Sequence, residues 1–308
     1  MGSGLTVKTW IDRIAAQFGA ADLHFGHGTD NARDEAAWLV LDAIGAPLDG
    51  SFDDWGRPVV EAEAAQISRI ADERCRSGRP LAYLLGSAWF AGLEFEVGPD
   101  VLVPRSPIAE LILDGFRPWL APDRIRRVLD LCTGCGCIGI AAACHLPDCR
   151  VDAVDISDPA LAVAARNAAR HAVTQRVRLL RSDLFQSLPP CRYDLILANP
   201  PYVPQDALAG LPSEFRAEPG LGLASGPDGL DATLRILADA PDFLAEDGIL
   251  VCEVGESEER LAAALPTVPF LWLEFQYGGA GVFLLTRRQL EAARPALAAL
   301  IGKRKHVA

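Results

Sequence analysis

The sequence predicts an α/β fold: a mostly parallel sheet with its last strand antiparallel, preceded by a small helical domain and a hairpin linker. Three observations carry this. From about residue 122, short apolar runs alternate with helical stretches, as parallel strands covered on both faces require. Before residue 86, apolar side chains recur at helical spacing instead. The two final apolar runs are joined by Gly278-Gly279-Ala280-Gly281. That link is too short for a crossover, so the pair it joins is antiparallel.

The elements follow in order. Residues 5–20 bring Leu5, Trp10, Ile11, Ile14 and Phe18 onto one helical face. Residues 32–45 repeat the pattern with Ala36, Trp38, Leu39, Leu41 and Ile44, closed by Gly45 and Pro47. A third helix over 58–77 ends near Gly78 and Pro80. Residues 89–97 read as two short strands turned at Ala91-Gly92, and Val101-Leu102-Val103 adds an extended piece stopped by Pro104. The strands of the sheet are expected at 127–131, 151–155, 177–180, 194–198 and 249–254, with helices such as 159–172 and 229–244 between them. Strands at 270–276 and 282–286 complete it. The expected division is 1–85 helical and substrate-recognising, 86–121 hairpin linker, 122–290 the Rossmann-like domain, and 291–308 a C-terminal tail.

Composition narrows the function. Of 308 residues, half are apolar and 23% charged, enough for a sizeable core. No apolar stretch approaches the roughly 18–20 residues of a membrane span, and no secretory leader is visible. Met1-Gly2-Ser3-Gly4-Leu5-Thr6 matches the loose myristoylation pattern, but no second anchor follows, so it is read as an ordinary terminus. The net charge is −12, and residues 1–100 alone hold 16 acidic against 8 basic groups. No basic face for nucleic acid is expected beyond Lys303-Arg304-Lys305, whereas a basic protein partner would be attracted. Eight cysteines lack the paired Cys-x-x-Cys spacing of a zinc ribbon, so no metal is expected. They read as small, reduced and mostly buried, which points to the cytoplasm.

Two loops carry chemistry. The segment Asp130-Leu131-Cys132-Thr133-Gly134-Cys135-Gly136 is a strand end, a tight small-residue turn and a helix start. Such a turn lets a ligand approach the backbone, and a helix N-terminus offers amides to an anionic group. Asp155 ends the next strand 21 positions after Gly134, the place for an acid that takes ribose hydroxyls. Ser182-Asp183-Leu184-Phe185 ends the third and could hold an adenine ring. The fourth strand runs into Asn199-Pro200-Pro201-Tyr202. Two prolines stiffen that loop and remove its donors, Asn199 adds an acceptor, and Tyr202 adds a flat face. The result is a slot that accepts both hydrogens of a planar –NH₂ group. Fixing a carboxamide nitrogen in this way favours charge building on it beside a sulfonium methyl.

These motifs resemble those of the class I S-adenosylmethionine-dependent methyltransferases, and more narrowly the HemK-type protein-(glutamine) methyltransferases. The resemblance spans roughly residues 80–287. It also rests on Val154-Asp155-Ile156-Ser157, Glu218-Pro219, Gly226-Pro227-Asp228-Gly229-Leu230 and Glu253-Val254-Gly255. Val103-Pro104-Arg105-Ser106-Pro107-Ile108 and Gly279-Ala280-Gly281-Val282-Phe283 resemble the branch acting on the large-subunit ribosomal protein L-three. The Arg-Pro-Glu-Thr-Glu of the release-factor branch is absent.

The resemblance implies a cofactor, S-adenosyl-L-methionine. It would be bound by Asp130, Cys132, Thr133, Gly134, Cys135 and Gly136, by Asp155 and Ile156, by Asp183 and Leu184, and by Asn199. Asn199, Pro200, Pro201 and Tyr202 would bind the substrate amide, with Asn199, Pro200 and Tyr202 catalytic. Cys135 stands where Ser or Thr is usual, and Leu184 where some relatives have an aromatic ring. Arg105 and Glu218 are either supporting groups or a structural ion pair. The substrate implied is a glutamine amide of that basic ribosomal protein. The alternatives are a release-factor glutamine, the amino group of adenine in nucleic acid, and a non-catalytic ribosome-assembly role.

Overall fold

The computed structural model describes residues 4–305. Met1-Gly2-Ser3 of the N-terminal pattern, and residues 306–308 of the expected tail, lie outside them. The chain divides into two units that do not follow its order. The first contains the described residues up to Pro99, Val103–Arg105 and Leu211–Glu218. The second contains Asp100–Leu102, Ser106–Gly210 and everything described from Pro219 on.

The first unit holds helices α1 (Val7–Ala20), α2 (Ala32–Ala43), α3 (Glu61–Ser77) and α4 (Leu81–Leu85). Thr6 caps α1 by accepting the Thr9 N–H, and Asn31 caps α2 by accepting those of Arg33 and Asp34. Trp10, Ile11, Ile14 and Phe18 are buried as their spacing requires. Strands β1 (Ser87–Phe90) and β2 (Leu93–Glu96) pair antiparallel through Ala91 and Gly92, both at positive φ. The hairpin, expected within a linker over 86–121, is thus grouped with the helices.

The return of 211–218 was not expected from the sequence. Its cause is charge burial. Arg74 is buried and donates to Glu35 at 2.7 Å, to Glu214 at 3.0 Å and to the His24 carbonyl at 3.1 Å. Burial drives the Glu35 carboxyl up, against the pull of Arg74. Glu218 is also buried, and Arg105 grips it bidentately at 2.6 and 2.8 Å, while Nε2 of His27 lies 3.5 Å away. Burial would raise the Glu218 carboxyl, but the contacts from His27 and Arg105 outweigh it and hold it at about 2. Arg105 and Glu218 therefore form an ion pair. Glu218 also accepts the Val103 N–H at 2.9 Å.

The second unit begins with α5 (Ile108–Leu113) and alternates β3 (Arg127–Leu131), α6 (Cys137–His145), β4 (Arg150–Asp155), α7 (Asp158–Arg170), β5 (Val177–Arg181) and β6 (Tyr193–Ala198). It continues with α8 (Gly220–Leu223), α9 (Asp231–Phe243), β7 (Leu244–Glu253), α10 (Glu258–Ala264), β8 (Leu271–Trp272), β9 (Val282–Thr286) and α11 (Arg287–Lys305). The seven-stranded sheet has the order β5-β4-β3-β6-β7-β9-β8. It is parallel from β5 to β7, and β9 runs antiparallel to both its neighbours. This is the Rossmann-like architecture expected. Leu129, Ile196 and Leu250 pack with Leu234, Leu237, Leu290 and Leu297 of α9 and α11. The alternate residues Val128, Leu195 and Val251 are buried too, so both faces are covered.

Two expectations fail at the C-terminal end. The strand expected over 270–276 shrinks to Leu271–Trp272, and Gln276 and Tyr277 instead donate their N–H groups to Glu110 at 2.9 and 3.0 Å. The tail expected from 291 is the body of α11, where Leu290, Ala293 and Leu297 are buried at helical spacing. Arg304 near its end clamps Asp228 at 2.7 and 2.8 Å. Among the described residues, no helix is long and apolar enough to cross a membrane, and no cluster of three His, Cys, Asp or Glu is placed to hold a metal.

Candidate active site

Register brings the motifs to one edge. Leu131 of β3 pairs with Val154 of β4 and with Ala198 of β6, and Ala198 pairs with Cys252 of β7. The chain therefore leaves the sheet at one level at Cys132, Asp155, Asn199 and Glu253. The strand order reverses between β3 and β6, because β4 and β5 lie to one side and β7 to the other. The carboxyl ends at such a switch point are where open α/β sheets bind ligands.

The loop after β3 is held from below. Asp130 is fully buried, and its Oδ2 accepts from the Thr133 hydroxyl and from the Gly139 N–H at 2.9 Å. Burial pushes the Asp130 carboxyl up to about 7, and those two hydrogen bonds offset this only in part. The Thr133 N–H donates to the Val154 carbonyl, and the Asn167 side chain donates to the Cys135 carbonyl, both at 2.9 Å. Thr133 and Cys135 are themselves buried. Asp130, Thr133 and Cys135 thus shape the loop, while space above Gly134 is open.

Asp155 ties the loop to the next strand. One carboxylate oxygen accepts the Gly134 N–H and the other the Ser157 N–H, each at 2.9 Å. Burial raises this carboxyl, and both oxygens keep a free lone pair for a further donor. Ile156 beside it is exposed. The third strand end is tied to α9. Asp183 is paired with Arg235 of α9 at 2.8 Å, and Phe185 is core, stacked on Phe243 at 4.7 Å between ring centres. Leu184 is buried, at positive φ. The sequence contains no local signal for Arg235, which meets Asp183 across 52 positions.

In the loop after β6, Pro200 is buried, while Asn199, Pro201 and Tyr202 are half-buried. The Tyr202 carbonyl accepts from the Ser257 hydroxyl at 2.8 Å, and Val203 braces the loop by donating its N–H to the Leu223 carbonyl at 2.8 Å and accepting the Ser225 N–H at 3.0 Å. A Cβ on Gly229 would lie 2.2 Å from the Tyr202 carbonyl oxygen. Gly229 of the Gly226–Leu230 motif has no side chain because the slot backbone rests on it. Burial above all drives the Cys132 thiol far up. It is held as a neutral thiol and offers no nucleophile.

Residues 112–211 match the family model of the methyltransferase small domain. Over 290 residues the chain is 50% identical to a ribosomal protein uL3 glutamine methyltransferase of Xanthomonas campestris pv. campestris, covering 93% of this chain and 94% of that one. This chain belongs to that glutamine methyltransferase family. A Xylella fastidiosa relative with the same name is 48% identical over 301 residues, covering 97% of this chain and 96% of its own. The protein is a methyltransferase, and the matched stretch contains the loops after β3, β4, β5 and β6. What the family motifs left without a role is Glu253, which accepts from the Tyr202 hydroxyl at 3.2 Å.

Proposed function

We propose that this protein transfers a methyl group from S-adenosyl-L-methionine to the side-chain amide nitrogen of a glutamine in ribosomal protein uL3. The observation that carries the reading is the level register of Cys132, Asp155 and Asn199 at the switch point, in a chain half identical to enzymes with that name. The residues present suit the cofactor. The open face above Gly134 leaves room for its methionine end, and Asp155 keeps acceptor capacity for a ribose. Arg235 holds Asp183 through Oδ2, and Oδ1 would accept from an adenine amino group.

When bound, the cofactor supplies a methyl group on a positively charged sulfur. The chain supplies position. The Asn199 side-chain oxygen and the Pro200 carbonyl accept the two amide hydrogens, which fixes the nitrogen and favours charge building on it. Pro200 and Pro201 contribute no donor that would compete for those acceptors. Tyr202 packs against the amide plane, and the surplus proton passes to water. The acidic excess of residues 1–100 supports docking of a basic protein. Acting on a ribosomal protein puts the enzyme in the cytoplasm.

The test is mass spectrometry of uL3 incubated with pure enzyme and cofactor. One methyl group on one glutamine is expected. Methylation of a release factor in preference to uL3, or of bare nucleic acid, would overturn the substrate assignment.

A further inference from the structure

The slot has a support that no motif role covers. Ser106, from the segment before α5, donates its hydroxyl to Oε2 of Glu253 at 2.5 Å. The same hydroxyl accepts the Ile108 N–H at 3.2 Å, so its own rotamer is fixed by backbone. Oε1 of Glu253 accepts from the Tyr202 hydroxyl at 3.2 Å. Ser106 and Glu253 are each 5% exposed. On its other side the Tyr202 ring lies on Gly255, where a Cβ would meet it at 2.6 Å. Gly255 is in turn covered by Gly281, where a Cβ would lie 2.1 Å from the Gly255 carbonyl oxygen. Three distant stretches of chain thus converge on one phenol.

We propose that Ser106 and Glu253 are positioning residues that set the orientation and hydrogen-bond polarity of Tyr202 in the substrate slot. The proposal deepens the functional reading above and rests on it for its kinetic part. A carboxylate that accepts the phenol O–H turns that proton away from every other partner. The phenol oxygen then presents only lone pairs, which suits a slot built to accept amide hydrogens. Ser106 keeps the carboxylate from rotating, because Oε2 is tethered while Oε1 works. Ser106 also lies in the stretch that resembles the ribosomal-protein branch, so this contact joins the branch segment to the slot.

Glu253→Gln, Ser106→Ala and Tyr202→Phe test this, with Ser106→Thr as the variant that keeps the hydroxyl. The protein has four tyrosines, so tyrosine labelled with ¹³C at Cζ gives four signals, and the Tyr202 signal is the one lost in Tyr202→Phe. That signal is expected to move in Glu253→Gln and in Ser106→Ala, to stay in Ser106→Thr, and to leave the other three unmoved. In turnover, Glu253→Gln and Ser106→Ala are each expected to lower kcat about tenfold with cofactor Kd unchanged within twofold. The Glu253→Gln/Tyr202→Phe double variant should be no slower than the slower single variant, because both remove one contact. A Tyr202 signal indifferent to both substitutions, or losses in kcat that multiply in the double variant, overturns the proposal. The NMR readout needs no substrate. An inactive wild type with a moving Tyr202 signal would therefore sink the glutamine reading and leave the tether standing.

Discussion

Gly255 lies directly beneath Tyr202: a Cβ on the glycine would come within 2.6 Å of ring carbon Cε2. Gly255 also has a φ of +46°, a conformation that side chains resist. The slot is therefore shaped by what is missing at the turn after β7 as much as by the tetrapeptide itself. Gly255→Ala must displace the ring or the turn. The expected cost is on the order of 1–3 kcal/mol in stability, with kcat reduced at least about tenfold by misplacement of the slot. Urea unfolding and steady-state kinetics check the two parts. Unchanged turnover would show that Tyr202 does not need this seat.

Asn199 leaves β6 level with Cys132 of β3 and, in the proposed function, holds the substrate amide. Asn199→Ala is expected to keep cofactor affinity within a few-fold, measured by calorimetry, and to reduce methyl transfer by about a hundredfold or more. Loss of cofactor binding in that variant would move Asn199 to the other side of the site.

Asp130 gives the enzyme a characteristic response to pH. Its carboxyl titrates at about 7 in the folded protein, raised by burial from 3.8. A group whose folded value is raised favours folding at low pH, and that contribution is lost as pH rises through about 4 to 7. Stability of the second unit should therefore decline across this window by a few kcal/mol, an order-of-magnitude figure. Asp130→Asn should flatten this part of the profile. Thermal unfolding from pH 4 to 8 measures both, and an unaltered slope in the variant would assign the decline to other groups.

Arg74 is the counter-charge of the first unit. Arg74→Met would leave Glu35 and Glu214 buried with no cation between them. The expected loss is about 3–5 kcal/mol, the usual result of removing one side of a buried pair. Adding Glu35→Gln to that variant should restore part of it, since one uncompensated charge disappears. Denaturant midpoints for the single and double variants decide this. A double variant less stable than the single one would refute the account.

The alternating apolar runs of 127–131, 151–155, 177–180 and 194–198 were sufficient to place four parallel strands, because burial on both faces imposes a continuous apolar pattern on each. The loops at their ends were legible for the same reason: small residues, prolines and a strand-ending acid are local solutions to local backbone problems. Contacts between distant residues had no such signature. Nothing near Arg74 announces Glu214, nothing near Asp183 announces Arg235, and the serine before α5 shows no local sign that it will meet Glu253 across 147 positions. The C-terminal helix is not legible along the chain, because its buried stripe is partly alanine and it contains Pro295, so neither hydropathy nor propensity marks it clearly. Periodicity and turn chemistry act over a few residues and can be read along the chain. The pairing of buried charges and the seating of a ring on a glycine depend on which strands become neighbours, and only the folded sheet decides that.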